Sequence, residues 1–185
     1  MRVAVTGTPG TGKTTATDLA TVPLEVVHLN DLIREEGLHE GTDAERDSLY
    51  ADLEALRERL ADRGDVLFES HLAHYLEADR VVVLRCRPAV LEERLRERGE
   101  PPEEARAGSA GSEPPRTLAR KARENAESEA LDVILSEAVE RHGEENVYEV
   151  DTTDRSPGEV AREVERVVAG ERAPAAGTVD FTGYL

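Results

Sequence analysis

Gly7-Thr8-Pro9-Gly10-Thr11-Gly12-Lys13-Thr14 matches every position of the Walker A pattern, G-x-x-x-x-G-K-[ST], and starts six residues into the chain. In such a loop the glycines let backbone N–H groups crowd around phosphate oxygens. Lys13 reaches the β- and γ-phosphates, and the Thr14 hydroxyl can ligate Mg²⁺. The flanks suit this chemistry: Arg2-Val3-Ala4-Val5 has the apolar character of a short buried strand, and Thr14 to Ala20 can open a helix whose N-terminus faces the anion. A second acid-bearing run, Val66-Leu67-Phe68-Glu69-Ser70-His71, places a carboxylate at the end of a buried strand. There Glu69 can hold Mg²⁺ through water or orient an attacking water. The alternative for Glu69 is an acid that merely starts a helix. His71 can steer a nucleophile or close the pocket, and at its ordinary pKa it is mostly neutral at pH 7.

Phosphoryl transfer also needs cations to cancel charge on the equatorial oxygens. Arg94, Arg98, Arg116, Arg120, Lys121 and Arg123 flank the stretch from Gly99 to Arg116, which is too rich in Pro, Gly and Ser to pack as an element. A basic hinge around a mobile loop is what a closing lid needs. Most of these cations are expected to pair with acidic neighbours, with Arg98 as the functional one. A guanine-reading Asn-Lys-x-Asp pattern is excluded because neither lysine follows an asparagine. The triphosphate is therefore read as ATP, with the loop from Asp151 to Pro157 near its base.

The elements that must position these groups alternate. Apolar runs at Val3–Val5, Leu24–Val27, Val66–Phe68, Val81–Leu84 and Val147–Val150 lie between helical patterns, the signature of a parallel sheet with helices on both faces. Leu49, Leu53, Leu56 and Leu60 predict one amphipathic helix from about Ala44 to Arg63, and Pro88 to Gly99 bounds another. A helical pattern runs from Thr117 to near His142-Gly143. The last helix has its start marked by Ser156, Pro157 and Glu159, a capping box with proline in the first turn. Residues 171–185 form a tail, either disordered or docking its Phe181 and Tyr184 on a neighbour.

The chain has 185 residues, enough for one domain with a sizeable core. Forty Asp and Glu against 23 Lys and Arg leave a net charge of −17, which repels nucleic-acid phosphates, so direct rRNA binding is not expected. Lysine occurs only at 13 and 121, all other basic residues being arginine; one of the two sits in the phosphate loop, where a compact ammonium is needed. The single cysteine, Cys86, excludes an intrachain disulfide, and His71 and His74 lack an obvious third metal ligand. Absence of a leader-like segment or of an apolar run near the ~18 residues of a membrane span points to the cytoplasm.

Together these pieces resemble the archaeal branch of the adenylate kinase isoenzyme 6 family, the nuclear-type adenylate kinases also described as small-subunit ribosome assembly ATPases. The resemblance spans roughly Arg2 to Val168 and is carried by residues 7 to 15, Asn-Asp-Leu-Ile-Arg-Glu-Glu at 30 to 36, Glu-Ser-His at 69 to 71, Glu-Arg-Leu-Arg-Glu-Arg-Gly at 93 to 99 and Glu-Asn-Ala-Glu-Ser-Glu-Ala at 124 to 130. It implies a three-layer α/β fold of the P-loop nucleoside monophosphate kinase kind over residues 1–170, with a monophosphate-binding arm at about 28–51 and a lid at about 98–118. It implies ATP binding by Gly10, Gly12, Lys13, Thr14 and Thr15, contact of Arg98 with the phosphates, and Asp31 and Arg34 on the arm. The implied activities are Mg²⁺-dependent transfer of the ATP γ-phosphoryl to AMP or another monophosphate, and ATP hydrolysis linked to late small-subunit rRNA maturation. The acidic surface makes a basic small-subunit ribosomal protein the expected partner. The sequence departs from the family in three places. Eukaryotic relatives have Asp where Glu69 stands, the lid carries an insertion, and the tail beyond Gly170 has no counterpart. The alternatives are a protein that is primarily a ribosome-assembly ATPase with little kinase activity, or another small P-loop kinase, acting on dephospho-coenzyme A or a metabolite.

Acidic excess with arginine in place of lysine also resembles the proteins of salt-accumulating archaeal cells, since 1 M salt screens charge beyond about 3 Å. The native fold is expected to require molar salt. Circular dichroism through a desalting series should show its loss, and an unchanged spectrum in dilute buffer would contradict the expectation.

Overall fold

The computed structural model describes residues 1–43, 48–99 and 115–185. Five parallel strands form the main sheet: β1 (Arg2–Thr6), β2 (Glu25–His28), β5 (Val66–Glu69), β6 (Arg80–Arg85) and β7 (Val147–Asp151), in the order β2-β5-β1-β6-β7. Period-two alternation divides their side chains between two cores. Val3, Val5, Leu67, Val82 and Leu84 face α1 (Lys13–Leu19) and α7 (Pro157–Ala169), burying Ala16, Val160, Val164 and Val167. Ala4, Val66, Phe68, Val81 and Val83 face the other way, against α2 (Leu29–Glu36), α3 (Leu53–Ala61) and α6 (Val133–His142), burying Leu29, Leu56, Leu60 and Ala138. The result is the expected three-layer α/β fold. Among the described residues no helix is long and apolar enough to cross a membrane.

Two helices are shorter than their apolar spacing predicts. The run from Ala44 to Arg63 is not one helix: residues 44–47 lie outside the described residues, Ser48–Ala51 is strand β4, antiparallel to β3 (His39–Asp43), and the helix begins at Leu53. The boundary is Asp52, whose carboxylate accepts from the Ala55 N–H and so caps the helix. The pattern from Thr117 to His142 is likewise two helices, α5 (Pro115–Ala130) and α6. They break at Asp132, whose φ of 54° is left-handed and whose carboxylate bonds buried Arg85. An ion pair to the sheet thus overrides a continuous helical pattern.

The capping box of α7 forms as read, with both Ser156 and Glu159 engaged, and α4 spans Pro88–Gly99. Residues 100–114, the heart of the expected lid, lie outside the described residues. The tail docks on its own chain: Glu149 N–H donates to Ala175 and Ala175 N–H donates to Val147, which extends pairing along β7.

Candidate nucleotide site

The carboxyl ends of three adjacent strands build the site. In register, His28 of β2 stands beside Glu69 of β5, and Glu69 stands beside Val5 of β1, immediately before the phosphate loop. Loop residues Gly7 and Gly10 admit no side chain. Both have positive φ, a Cβ on Gly7 would meet the Leu84 carbonyl oxygen at 2.4 Å, and one on Gly10 would meet Leu91 at 2.8 Å and Leu95 at 2.9 Å. The loop therefore lies tight against the ends of β6 and α4.

Lys13 is 8% exposed, and its ammonium donates to the Gly7 and Thr8 carbonyls at 2.9 and 3.2 Å. Burial lowers its pKa to about 8 even though Glu69 and Glu129 oppose the shift, and the charge of Arg98 pushes in the same direction as burial. Holding Lys13 charged at neutral pH therefore costs about 3 kcal/mol relative to water. Glu69 is buried as well. Its Oε1 accepts from Thr14 Oγ1 and lies 3.0 Å from His28 Nδ1, while among the described residues Oε2 is buried with no partner. A buried carboxylate oxygen left unsatisfied beside a threonine hydroxyl is a donor set that suits a hard divalent cation.

Two cavities meet at the loop. One of about 470 Å³ is lined by Gly10, Gly12, Thr15, Arg98, Thr152 and Arg155. The other, about 140 Å³, is lined by Lys13, Thr14, Asn30, Glu69, His71 and Arg98. The sequence-derived residues Gly10, Gly12, Lys13, Thr14, Thr15, Glu69, His71 and Arg98 thus stand around one space, and the loop from Asp151 to Pro157 contributes to the larger cavity. Asp31 and Arg34 do not line either cavity; they pair with each other at 2.9 Å on the exposed face of α2, one residue along from Asn30 in the case of Asp31. His71 is exposed and lines the smaller cavity. Desolvation by the surrounding protein, then the charge of Lys13 and the neighbouring His74, lowers its pKa to about 4, which favours the neutral ring. His74 is spoken for by Thr6 at 3.0 Å and Glu137 at 2.9 Å.

Four further residues also shape the site, of which only Arg94 stood among the candidate cations. His28 braces Glu69 and reaches Asp18 at 3.1 Å with its other nitrogen. Asn30 accepts from Ser70 Oγ at 3.1 Å. Arg94 donates to the Thr152 and Thr153 carbonyls and so fixes the wall of the larger cavity. Glu129 accepts from Thr8 Oγ1 at 2.5 Å. Proximity in the fold identifies their roles; in the sequence, Arg94 stands among the cations flanking the stretch from Gly99 to Arg116, and His28 and Asn30 fall within the expected arm.

The residues from 3 to 132 match the family model AAA_18, described as an AAA domain, and the chain belongs to that family. Relatives named "Putative adenylate kinase" match over its whole length: 61% identical in Natronomonas pharaonis, covering 100% of both chains, and 55% in Halobacterium salinarum with the same coverage. A relative of the same name in Methanothermobacter thermautotrophicus is 43% identical, covering 99% of this chain and 98% of its own. The chain thus aligns over nearly its whole length with these archaeal relatives. Among solved structures, shikimate kinase from Aquifex aeolicus overlays with a TM-score of 0.49 at 16% identity, covering 92% of this chain and 98% of its own.

A polyphosphate held by Lys13 would require its ammonium form. Above its pKa of about 8 the free protein must therefore take up a proton on binding, and affinity falls by up to about tenfold per pH unit. Calorimetric titration with ATP at about pH 9, in two buffers of different ionisation enthalpy, should show this uptake, and it should vanish at about pH 6.5. Heats independent of the buffer at the higher pH would contradict the assignment.

Proposed function

We propose that the protein is a nucleoside monophosphate kinase that transfers the γ-phosphoryl of ATP to AMP or another monophosphate. The observation that carries this reading is the pair of cavities meeting at the phosphate loop, with Arg98 on the wall of both. A donor nucleotide in the larger cavity points its phosphates across Gly10 and Gly12 towards the smaller one, where an acceptor phosphate can meet them. The names of the full-length archaeal relatives support the same class.

In the transfer, an oxygen of the acceptor phosphate forms a bond to the γ-phosphorus as the bond to the β-phosphate bridging oxygen breaks, giving two diphosphates when the acceptor is AMP. Lys13 and Arg98 offset the charge on the transferring group. Thr14 and Glu69 would hold Mg²⁺, which supplies neutralisation of the donor phosphates when bound. Neutral His71 offers a hydrogen bond at the wall of the smaller cavity without adding charge. Asp31 and Arg34 belong, in this reading, to the arm that receives the monophosphate, with α2 and the β3–β4 hairpin as its parts.

A second reading, ATP hydrolysis in small-subunit assembly, is favoured by Glu69 and His71 standing together at the smaller cavity, where they could orient a water. Its partner would be a basic small-subunit ribosomal protein, matched to the charge of −17.

The two separate in one assay: Mg·ATP consumption in molar KCl without acceptor, with each of AMP, CMP, GMP and UMP, and with the ribosomal protein added. ADP formation that consumes AMP stoichiometrically, and falls by about 10²-fold or more in Lys13→Ala, is expected. Slow hydrolysis indifferent to every monophosphate would contradict the kinase reading, and its stimulation by the ribosomal protein would favour the second.

A further inference from the structure

The tail from 171 to 185 reaches the phosphate loop through a buried polar chain. Arg85, at the end of β6 and 1% exposed, is ringed by three carboxylates. Its Nε donates to Glu129 Oε1 at 2.7 Å, and its two terminal nitrogens donate to Glu149 and Asp132. Burial disfavours the guanidinium charge, but the carboxylates outweigh that effect and raise its pKa. One cation facing three acids leaves the cluster in excess negative charge, so the remaining carboxylate oxygens need donors.

The outer oxygen, Oε2 of Glu149, receives those donors from the tail: Thr178 N–H at 2.6 Å, Thr178 Oγ1 at 2.7 Å and Val179 N–H at 3.1 Å. Phe181 lays its ring 5.5 Å from the Arg85 guanidinium carbon. At the other end, Glu129 accepts from the Cys86 N–H through Oε1 and from the Thr8 hydroxyl through Oε2. Thr8 is the loop residue whose carbonyl accepts from Lys13 Nζ and from both the N–H and the hydroxyl of Thr11. An unbroken path therefore runs from Thr178 through Glu149, Arg85, Glu129 and Thr8 to the Lys13 ammonium.

We propose that the C-terminal tail positions the phosphate loop through this path, with Glu129 and Thr178 as positioning residues for nucleotide binding. The inference rests on the nucleotide site proposed above. When Thr178 and Phe181 leave, Glu149 turns to Arg85 for its missing donors and draws the guanidinium from Glu129. Glu129 then loses the geometry that holds Thr8, because members of a buried network adjust together.

A tail that merely covers the edge of β7 would change melting temperature alone, whereas a positioning tail changes affinity and couples to Thr8. The test is a double-mutant cycle in molar KCl, with Thr178→Val/Phe181→Leu as one change and Thr8→Val as the other. It reads the Kd of a non-hydrolysable fluorescent ATP analogue with Mg²⁺, with melting temperature measured alongside. Each variant should weaken the analogue about tenfold, the scale of one hydrogen bond to a charged group, and the combination should also weaken it about tenfold rather than about a hundredfold. If the double substitution fails to fold, Thr178→Val alone enters the cycle with the same expected non-additivity.

Unchanged Kd in the tail variants, or strictly additive losses, would overturn the tail's role while leaving the nucleotide site intact. Failure of the unmodified protein to bind the analogue would overturn the nucleotide reading, and the tail's role with it.

Discussion

A buried ammonium and a buried carboxylate face one pocket, and each is bonded to something other than its opposite. Lys13 rests on loop carbonyls, and Glu69 on Thr14 and His28, with one oxygen unsatisfied among the described residues. Both arrangements are costly in the absence of a ligand. A depressed lysine pKa and an orphaned carboxylate oxygen are unmet demands for an anion and a cation respectively, and a metal-bound polyphosphate meets both. The tight glycine turn, the braced histidine and the acidic cluster behind the loop keep these two groups apart and facing the same space.

The parallel sheet makes that separation possible. In a parallel sheet with right-handed crossovers, every strand delivers its carboxyl end to the same edge, and adjacent strands whose connections leave to opposite faces open a crevice there. Strand β1 sends its chain into the phosphate loop and α1, while its neighbour β5 arrives with Glu69 in register with Val5. On the far side of β1, β6 ends in Arg85, which anchors Glu129 beneath the loop. Carboxylates on the two sides of one strand thus serve different ends: Glu69 faces the pocket, and Glu129 holds the backbone that carries Lys13. Exposed pairs such as Arg34 with Asp31 or Arg57 with Glu54 contribute little to stability by comparison.

Much of this architecture was legible in the residues. Strand positions follow from short β-branched runs, the α7 start from its capping box, and the phosphate loop from a pattern in which each residue has a mechanical reason. What escaped reading depended on contacts between distant residues. Leucines at helical spacing continue through Ser48–Ala51, yet pairing with β3 and the Asp52 cap turn that stretch into strand. The α5–α6 break comes from Asp132 reaching Arg85, 47 residues away in sequence. The roles of His28 and Glu129 likewise exist only once the strands are ordered, because neither carries a local pattern distinguishing it from its neighbours, while Arg94, one of several candidate cations, turns to the Thr152 and Thr153 carbonyls. The tail offered Phe and Tyr as signs of docking but no sign of the partner, which proved to be this chain's own Arg85 and Glu92.

In the proposed function Glu69 completes a metal–polyphosphate site whose anion-binding half is Lys13. Calorimetric titration of the unmodified protein and of Glu69→Gln with ATP, with and without Mg²⁺, tests it most directly. Glu69→Gln should bind metal-free ATP at least as tightly as the unmodified protein, because a negative charge has been removed beside the phosphates, and should lose the gain in affinity that Mg²⁺ confers. A Glu69→Gln protein that keeps the full Mg²⁺-dependent gain would contradict that role for Glu69.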